Sequence, residues 1–241
     1  MKNNSHPIYK DHHKVSEFAL QLREIVFGSE DGMVSTLGAI TGIAAGSGDQ
    51  FVVLLSGSVI IAVESISMGI GSYISNKTEK DTLSRKIVEE KHELSKFPEE
   101  EKEELKNIYM KDGWPENIAK IMSDTASNDK HLMLKEMACH ELNIPANSSD
   151  REPIKNGIFM FFSYVVGGFI PLFPYFLFSL NYAIIISIAI TTLGLFLLGV
   201  ATTMYSKRKW WKAGLELLTL AGIASVTGFI VGQLVNKFWL K

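Results

Sequence analysis

The chain has 241 residues, and its 24 basic and 26 acidic side chains leave a formal net charge of -2 at pH 7. This near-neutral balance gives no case for a nucleic-acid partner. Cys139 is the only cysteine, which excludes an intrachain disulfide and any cysteine-rich zinc site. Hydrophobic residues make up 46% of the chain, and they are concentrated in long runs rather than spread evenly.

Residues 1–16 form a polar N-terminal tail. The tail has neither the compact apolar run nor the small-residue cleavage site of a secretory signal peptide. We therefore expect the first membrane span to direct the chain to the membrane.

Five segments have the length of transmembrane helices, which need about 20 mostly apolar residues to cross a hydrocarbon core of about 30 Å. The first is the least regular, because Arg23 and three acidic residues interrupt it and glycine and serine dilute it. We predict an all-α membrane protein with five spans, the first two within residues 17–75 and the last three within 156–241. The five segments are residues 18–46, 51–75, 158–178, 182–204 and 214–235.

The loop between the fourth and fifth spans, residues 206–212, carries four basic residues. Basic residues in short loops are retained on the cytoplasmic side. Counting spans from this loop places the N-terminus and the long segment 76–155 in the cytoplasm, and Lys241 on the far side.

Residues 76–155 form an insertion between the second and third spans that is rich in Glu, Lys and Leu, which favour helix. Pro98 should end one helix and begin the next, and residues 113–115 (Gly-Trp-Pro) should end the second. A third helical stretch, residues 116–142, loosens near residues 127–129. The insertion is predicted to be a three-helix cytoplasmic cap.

The insertion contains candidate metal ligands at helical spacing. Two pairs of glutamates flank Pro98, and the partners in each pair are three positions apart, so the four carboxylates converge if the helices form a hairpin. Carboxylate oxygen with thioether sulfur suits a divalent first-row metal such as Fe²⁺ better than Mg²⁺ or Ca²⁺. Alternatively, the glutamates are ordinary solvent-exposed surface residues and the methionines pack in the core of the insertion. The candidates are Glu90, Glu93, Glu101, Glu104, Met137 and Glu141.

Two acidic residues, Asp31 and Glu64, fall inside predicted spans, where a charge costs a few kcal/mol and usually serves a function. Glu64, Met68 and Ser72 recur at intervals of four, so they share one helical face. Structural roles remain open, since Asp31 could cap a helix and Glu64 could pair with Arg23.

Two motifs resemble those of a known family. REIVFGSEDGMVST, from Arg23 to Thr36, resembles the first-span signature of the vacuolar iron transporter family, whose core is DG-hydrophobic-VS. SMGIGSYIS, residues 67–75, resembles the family's second-span SMxxGEYxS motif. Further similarity in the insertion and in residues 170–175 and 214–232 extends the resemblance over nearly the whole chain.

The resemblance implies a five-span homodimer that carries Fe²⁺ through the lipid bilayer, out of the cytoplasm and in exchange for protons. Asp31 and Met68 would lie on the translocation path, and the six insertion residues would gather the ion before transport. Ligand chemistry leaves Mn²⁺, Co²⁺ and Zn²⁺ open as further ions. The membrane would be the cell membrane of a prokaryote or the vacuolar membrane of a eukaryote.

One position departs from the family motif, because Ser72 stands where the family has Glu. Glu64 stands two helical turns away, where the family usually has a small residue. We therefore expect Glu64 to replace the missing carboxylate on the path.

Two other functions remain open. Glu89 and His92 have the Glu-x-x-His spacing of di-iron oxidases, although a second such motif is lacking. A membrane-anchored metal buffer or sensor is the other alternative.

Gly38, Gly42 and Gly46 repeat every four residues and predict a seam between the two copies of a dimer.

Overall fold

The computed structural model describes residues 7–142, 152–206 and 209–239, and these ranges contain helices and no strand. They form two compact units, one of Met1–Tyr73 with Pro153–Lys241, here called the membrane unit, and one of Ile74–Glu152, the insertion unit. The helices are α1 (Pro7–Ser47), α2 (Gln50–Lys96), α3 (Pro98–Lys111), α4 (Glu116–Ser127), α5 (Lys130–His140), α6 (Pro153–Leu172), α7 (Pro174–Leu177), α8 (Leu180–Ser206) and α9 (Trp210–Trp239). The all-α prediction is confirmed.

Four helices among the described residues, α2, α6, α8 and α9, are long and apolar enough to cross a membrane. In α2 the apolar part is residues 51–75, where Glu64 is the only charged residue. Helix α1 does not meet the same measure of composition, because Asp31 and the other charged residues lower its mean hydropathy. The integral membrane character is therefore supported, while the count of five spans remains a prediction. Helix α1 begins at Pro7, so it includes part of the predicted polar tail.

Helix α1 packs closely on α6 through glycine. A Cβ built at Gly32 would lie 2.5 Å from the carbonyl oxygen of Tyr164, and one built at Gly28 would lie 2.9 Å from that of Met160. In the opposite direction, a Cβ at Gly167 would overlap the backbone of Ser29. The two backbones touch because no side chain separates them.

The opposite end of α1 packs on α9 through the stripe Gly38, Gly42 and Gly46. These residues face Ala224, Gly228 and Gly232 of α9, which have the same spacing of four. A Cβ built at Gly228 would overlap the carbonyl oxygen of Gly38. Within one chain the stripe therefore packs on small residues of α9, and its assignment to a dimer seam remains a prediction. The homodimer itself remains a prediction.

The third span differs from the single helix predicted over residues 158–178. Helix α6 ends at Leu172, and Pro174 begins the short helix α7. Proline lacks an amide hydrogen and its ring clashes with the carbonyl of the residue four positions earlier, so it favours a helix start. Beside the break, the buried Ser187 hydroxyl donates a hydrogen bond to the carbonyl oxygen of Pro171 at 2.6 Å.

In the insertion unit, the helix breaks at Pro98 and at residues 113–115 are confirmed. Pro98 is the first residue of α3, and Gly113 adopts a φ of 99°, a left-handed conformation that glycine tolerates. The loosening predicted near residues 127–129 is a complete break between two helices, because Asp129 caps a new helix by accepting the amide hydrogen of His131 at 2.8 Å. The unit therefore has three separate helices, α3 to α5, besides the end of α2. Its core contains Leu105, Tyr109, Ala119, Ala126, Met133 and Met137.

Candidate metal sites in the insertion and membrane units

Three of the predicted insertion ligands come together. Glu90 lies on α2, Glu101 lies in the first turn of α3, and Glu141 directly follows α5. One carboxylate oxygen from each lies within 4.8 Å of the others. The Pro98 turn makes this arrangement possible, because it reverses the chain between Glu90 and Glu101. Three converging carboxylates can offer oxygen ligands to one divalent cation.

The electrostatics of this carboxylate cluster, Glu90 with Glu101 and Glu141, favour bound protons when no cation is present. Glu90 is only 2% exposed, and burial, followed by the charges of Glu141, Glu101 and Glu93, raises its pKa to about 8. Burial is also the main reason that the pKa values of Glu101 and Glu141 are raised. Glu90 shares a hydrogen bond with Glu141, while its Oε1 is buried without a hydrogen-bond partner among the described residues. A cation would compensate these charges, and its binding would displace protons.

The other three predicted insertion ligands have different positions. Glu93 and Glu104 lie close enough to add negative charge to the cluster, since both raise the pKa values of its members. Met137 is fully buried in the core of the unit, in the same hydrophobic cluster as Leu105. Its packing role is evident, and its role as a sulfur ligand remains a prediction.

In the membrane unit, Glu64 belongs to a hydrogen-bonded group that joins three helices. The hydroxyl of Tyr164 on α6 donates to Oε2 of Glu64 on α2. The same hydroxyl lies 2.6 Å from Oγ of Ser35 on α1. Asp31, one helical turn before Ser35, lies close enough to Glu64 for their charges to interact.

A direct polar contact between α1 and α2 involves the position that departs from the family motif. Ser72 donates a hydrogen bond from Oγ to Oε2 of Glu24 at 2.8 Å, and Glu24 is 7% exposed. Because α2 is a continuous helix here, Glu64, Met68 and Ser72 lie on one face, as their spacing predicts.

Two residues in these hydrogen bonds, Tyr164 and Glu24, are not among the site residues that the sequence predicts. Tyr164 has a signal in the sequence, because a tyrosine hydroxyl inside an apolar span needs a hydrogen-bond partner. Glu24 was noticed only as an interruption of the first span. Its partner, Ser72, lies 48 positions away in the sequence, so no local pattern connects them.

Comparison with known proteins identifies the family. The VIT family model matches residues 22–233, which is most of the chain. The chain belongs to the VIT family. This confirms the resemblance seen in the motifs of the first two spans.

Curated relatives of this VIT protein match along nearly their whole length. The vacuolar iron transporter of Plasmodium berghei (strain Anka) is 29% identical over 240 residues, covering 96% of this chain and 85% of the relative. Vacuolar iron transporter 1 of Arabidopsis thaliana is 28% identical over 230 residues, covering 94% and 91%. The vacuolar iron transporter of Plasmodium falciparum (isolate 3D7) is 28% identical over 227 residues, covering 90% and 82%.

The family and these relatives are transporters, and the chain is accordingly a transporter and not an enzyme. The oxidase alternative is therefore set aside. Glu89, one of the two residues that suggested it, forms an exposed ion pair with Arg85 at 3.8 Å.

Proposed function

We propose that this VIT protein exports Fe²⁺ from the cytoplasm across its membrane in exchange for protons, as a homodimer with five spans in each subunit. The observation that carries the proposal is the convergence of Glu90, Glu101 and Glu141 in a chain whose relatives are named iron transporters. The membrane is the cell membrane if the source is prokaryotic and the vacuolar membrane if it is eukaryotic.

The insertion unit, which we place in the cytoplasm, collects the ion. Glu90, Glu101 and Glu141 supply oxygen ligands, and the charges of Glu93 and Glu104 attract the cation. Met137 would add a sulfur ligand if its side chain turns from the core, and thioether sulfur favours Fe²⁺ over Mg²⁺. Mn²⁺, Co²⁺ and Zn²⁺ fit the same ligands, so they are the competing ions. Binding releases protons from the cluster, because a carboxylate must be ionised to coordinate a metal.

Inside the membrane unit, the ion passes Asp31, Glu64 and Met68. A dication that leaves water needs negatively charged oxygen, and two neighbouring carboxylates provide it. Tyr164 holds Glu64 in place and is itself hydrogen-bonded to Ser35, and Met68 lies one turn further along the same face of α2. Each carboxylate gives up its proton when the cation arrives and regains it when the cation leaves. Exchange follows if the two loaded forms open to opposite sides.

Iron flux into proteoliposomes tests the proposal. The purified protein is reconstituted into liposomes that contain a dye whose fluorescence Fe²⁺ quenches. Initial rates of Fe²⁺ uptake are measured with and without a pH gradient that is acidic inside the liposomes. We expect the gradient to accelerate Fe²⁺ uptake. We expect Glu64→Gln to abolish most of the uptake, while Mn²⁺ still binds to the insertion unit of this variant. Equal rates with and without the gradient would contradict proton exchange.

The role of the insertion unit needs a matched pair of variants. Glu90→Gln removes a buried member of the carboxylate cluster, whereas Glu99→Gln removes an exposed charge two residues before Glu101. We expect only Glu90→Gln to raise the Fe²⁺ concentration needed for half-maximal flux. Identical concentration dependence in the two variants would exclude the cluster from metal capture.

A further inference from the structure

The end of α5 carries Glu141, one of the three converging carboxylates, at an exposed position where a helix readily frays. Helix α5 has 11 residues and ends at His140, so Glu141 is the first residue beyond it. Short helices are marginal in isolation and their last turns are the least ordered. Within the described residues, the amide hydrogens of Glu141 and Leu142 both bond to the carbonyl oxygen of Met137, at 2.9 and 3.3 Å, and so close this end. A ligand in this position needs further support if it is to remain near Glu90 and Glu101.

A network of four polar side chains connects this last turn to α3. The hydroxyl of Tyr109 donates to Oε2 of Glu136 at 2.8 Å. His140 lies between two carboxylates, with Nδ1 at 3.0 Å from Oδ2 of Asp112 and Nε2 at 3.5 Å from Oε2 of Glu136. The edge of one ring also faces the other, with the Tyr109 and His140 ring centres 5.3 Å apart. Each of these contacts is between the end of α3 and the last turns of α5, or within α5 itself.

Tyr109 is suited to anchor this network because it is fixed in the core. It is 1% exposed and packs in the hydrophobic cluster of the insertion unit. Burial and the neighbouring carboxylate of Glu136 raise the pKa of Tyr109, so its hydroxyl retains its proton and donates the hydrogen bond. Glu136 and His140 are only partly exposed and are four residues apart, so they lie on one face of α5.

We propose that Tyr109, Asp112, Glu136 and His140 are positioning residues that fix the last turn of α5 on α3 and thereby hold Glu141 in the carboxylate cluster. The proposal rests on the proposed metal-binding role of that cluster and adds residues outside the ligand set. His140 contacts Asp112 through one ring nitrogen and Glu136 through the other, and the two nitrogens point in different directions. The four side chains therefore cannot all coordinate a single ion. Helix α3 carries Glu101 in its first turn and Tyr109 further along, so the network links the helices that supply two of the ligands.

A double-mutant cycle on the full-length protein tests the proposal with Mn²⁺ as the probe. Mn²⁺ binding is measured by electron paramagnetic resonance in the parent and in Glu90→Gln. The binding that is lost in Glu90→Gln is assigned to the insertion site, and its affinity is the quantity compared. Tyr109→Phe deletes only the hydroxyl. We expect it to weaken this binding about tenfold, the lower end of the effect of losing support around a metal ligand. In a Glu141→Gln background we expect no further loss, because the ligand to be positioned is gone.

The result that overturns the proposal is an equal fold loss from Tyr109→Phe in both backgrounds, which is the effect of general destabilisation. Asp112→Asn provides a second variant at a more exposed side chain, and the same pattern is expected from it. Asp124→Asn is the matched control, because it breaks an ion pair with Lys102 at 2.6 Å between α3 and α4 and leaves α5 untouched. Unchanged Mn²⁺ binding in Glu90→Gln overturns the metal site itself and, with it, the positioning role.

Discussion

The hydroxyl of Tyr164 donates a hydrogen bond to the carboxylate of Glu64, so α6 supplies a partner for the only charged residue in the apolar part of α2. A charge at the centre of a membrane span costs a few kcal/mol unless it has such a partner. The hydrogen bond therefore sets where this carboxylate is held and which direction it faces.

Tyr164→Phe should reduce Fe²⁺ flux about tenfold or more. A hydrogen bond to a charged group contributes about 1.5–3 kcal/mol, and a factor of ten corresponds to about 1.4 kcal/mol. Tyr182→Phe is the control, because this tyrosine is 69% exposed on α8. Initial uptake rates into proteoliposomes check the prediction, and parental flux in Tyr164→Phe would contradict it.

Metal binding to the carboxylate cluster should strengthen as pH rises towards 8. Without metal, Glu90 has a pKa of about 8, so at lower pH a cation must displace its proton. One displaced proton makes the apparent affinity rise by up to about tenfold per pH unit below the pKa, and the rise should flatten above it. Mn²⁺ titrations between about pH 6 and pH 8 measure this slope. If Glu90→Gln keeps the parental slope, the displaced proton does not come from Glu90.

The metal-free protein should become less stable as pH rises from about 5 to 8. Glu90 has an ordinary pKa of 4.5 and a folded-state pKa of about 8, so between these values the folded protein holds a proton that the unfolded chain has lost. The stabilising effect of this proton is complete below the lower value and is lost as pH passes the higher one. Thermal unfolding midpoints of the parent and of Glu90→Gln should therefore converge at low pH and diverge at high pH, with the parent less stable. Added Mn²⁺ should restore the parent at high pH, and a parent that gains stability with pH relative to Glu90→Gln would refute the assignment.

Gly228→Ala should destabilise the membrane unit, because its Cβ would overlap the carbonyl oxygen of Gly38 on α1. Overpacking of this kind costs about 1–3 kcal/mol, and here two backbones would have to separate. Gly222→Ala on the same helix is the control, because a Cβ there would meet nothing within 4 Å. Thermal unfolding in detergent compares the two, and similar midpoints would show that the close approach of α1 and α9 is not required.

Local chemistry allowed much of the fold to be predicted. Pro98 and Gly113 mark helix boundaries because their backbone preferences act within one or two residues, and both boundaries were predicted. Pro174 acts in the same way, yet the uniformly apolar run around it favoured an unbroken span. The cap at Asp129 was also underestimated, since residues on both sides favour helix.

The sites were harder to predict because they depend on distant pairings. Helical spacing put Glu90, Glu101 and Glu141 among the six candidate ligands. Only the fold shows that these three converge and that Met137 lies in the core. Tyr164 is 100 positions from Glu64, and no periodicity within either helix relates them. The stripe at Gly38 was recognised as a packing surface, although the sequence could not tell which helix packs against it.

The glycine contacts on α1 restrict how this transporter can move. Gly32 contacts the backbone of α6 and Gly42 contacts the backbone of α9, so the helix that carries Asp31 is packed on two sides. At these contacts no side chain lies between the backbones that could change its conformation to allow sliding. A rocking motion of α1 alone would separate backbones that are now in contact at several levels. We therefore expect α1, α6 and α9 to move together when the Asp31 region opens first to one side of the bilayer and then to the other.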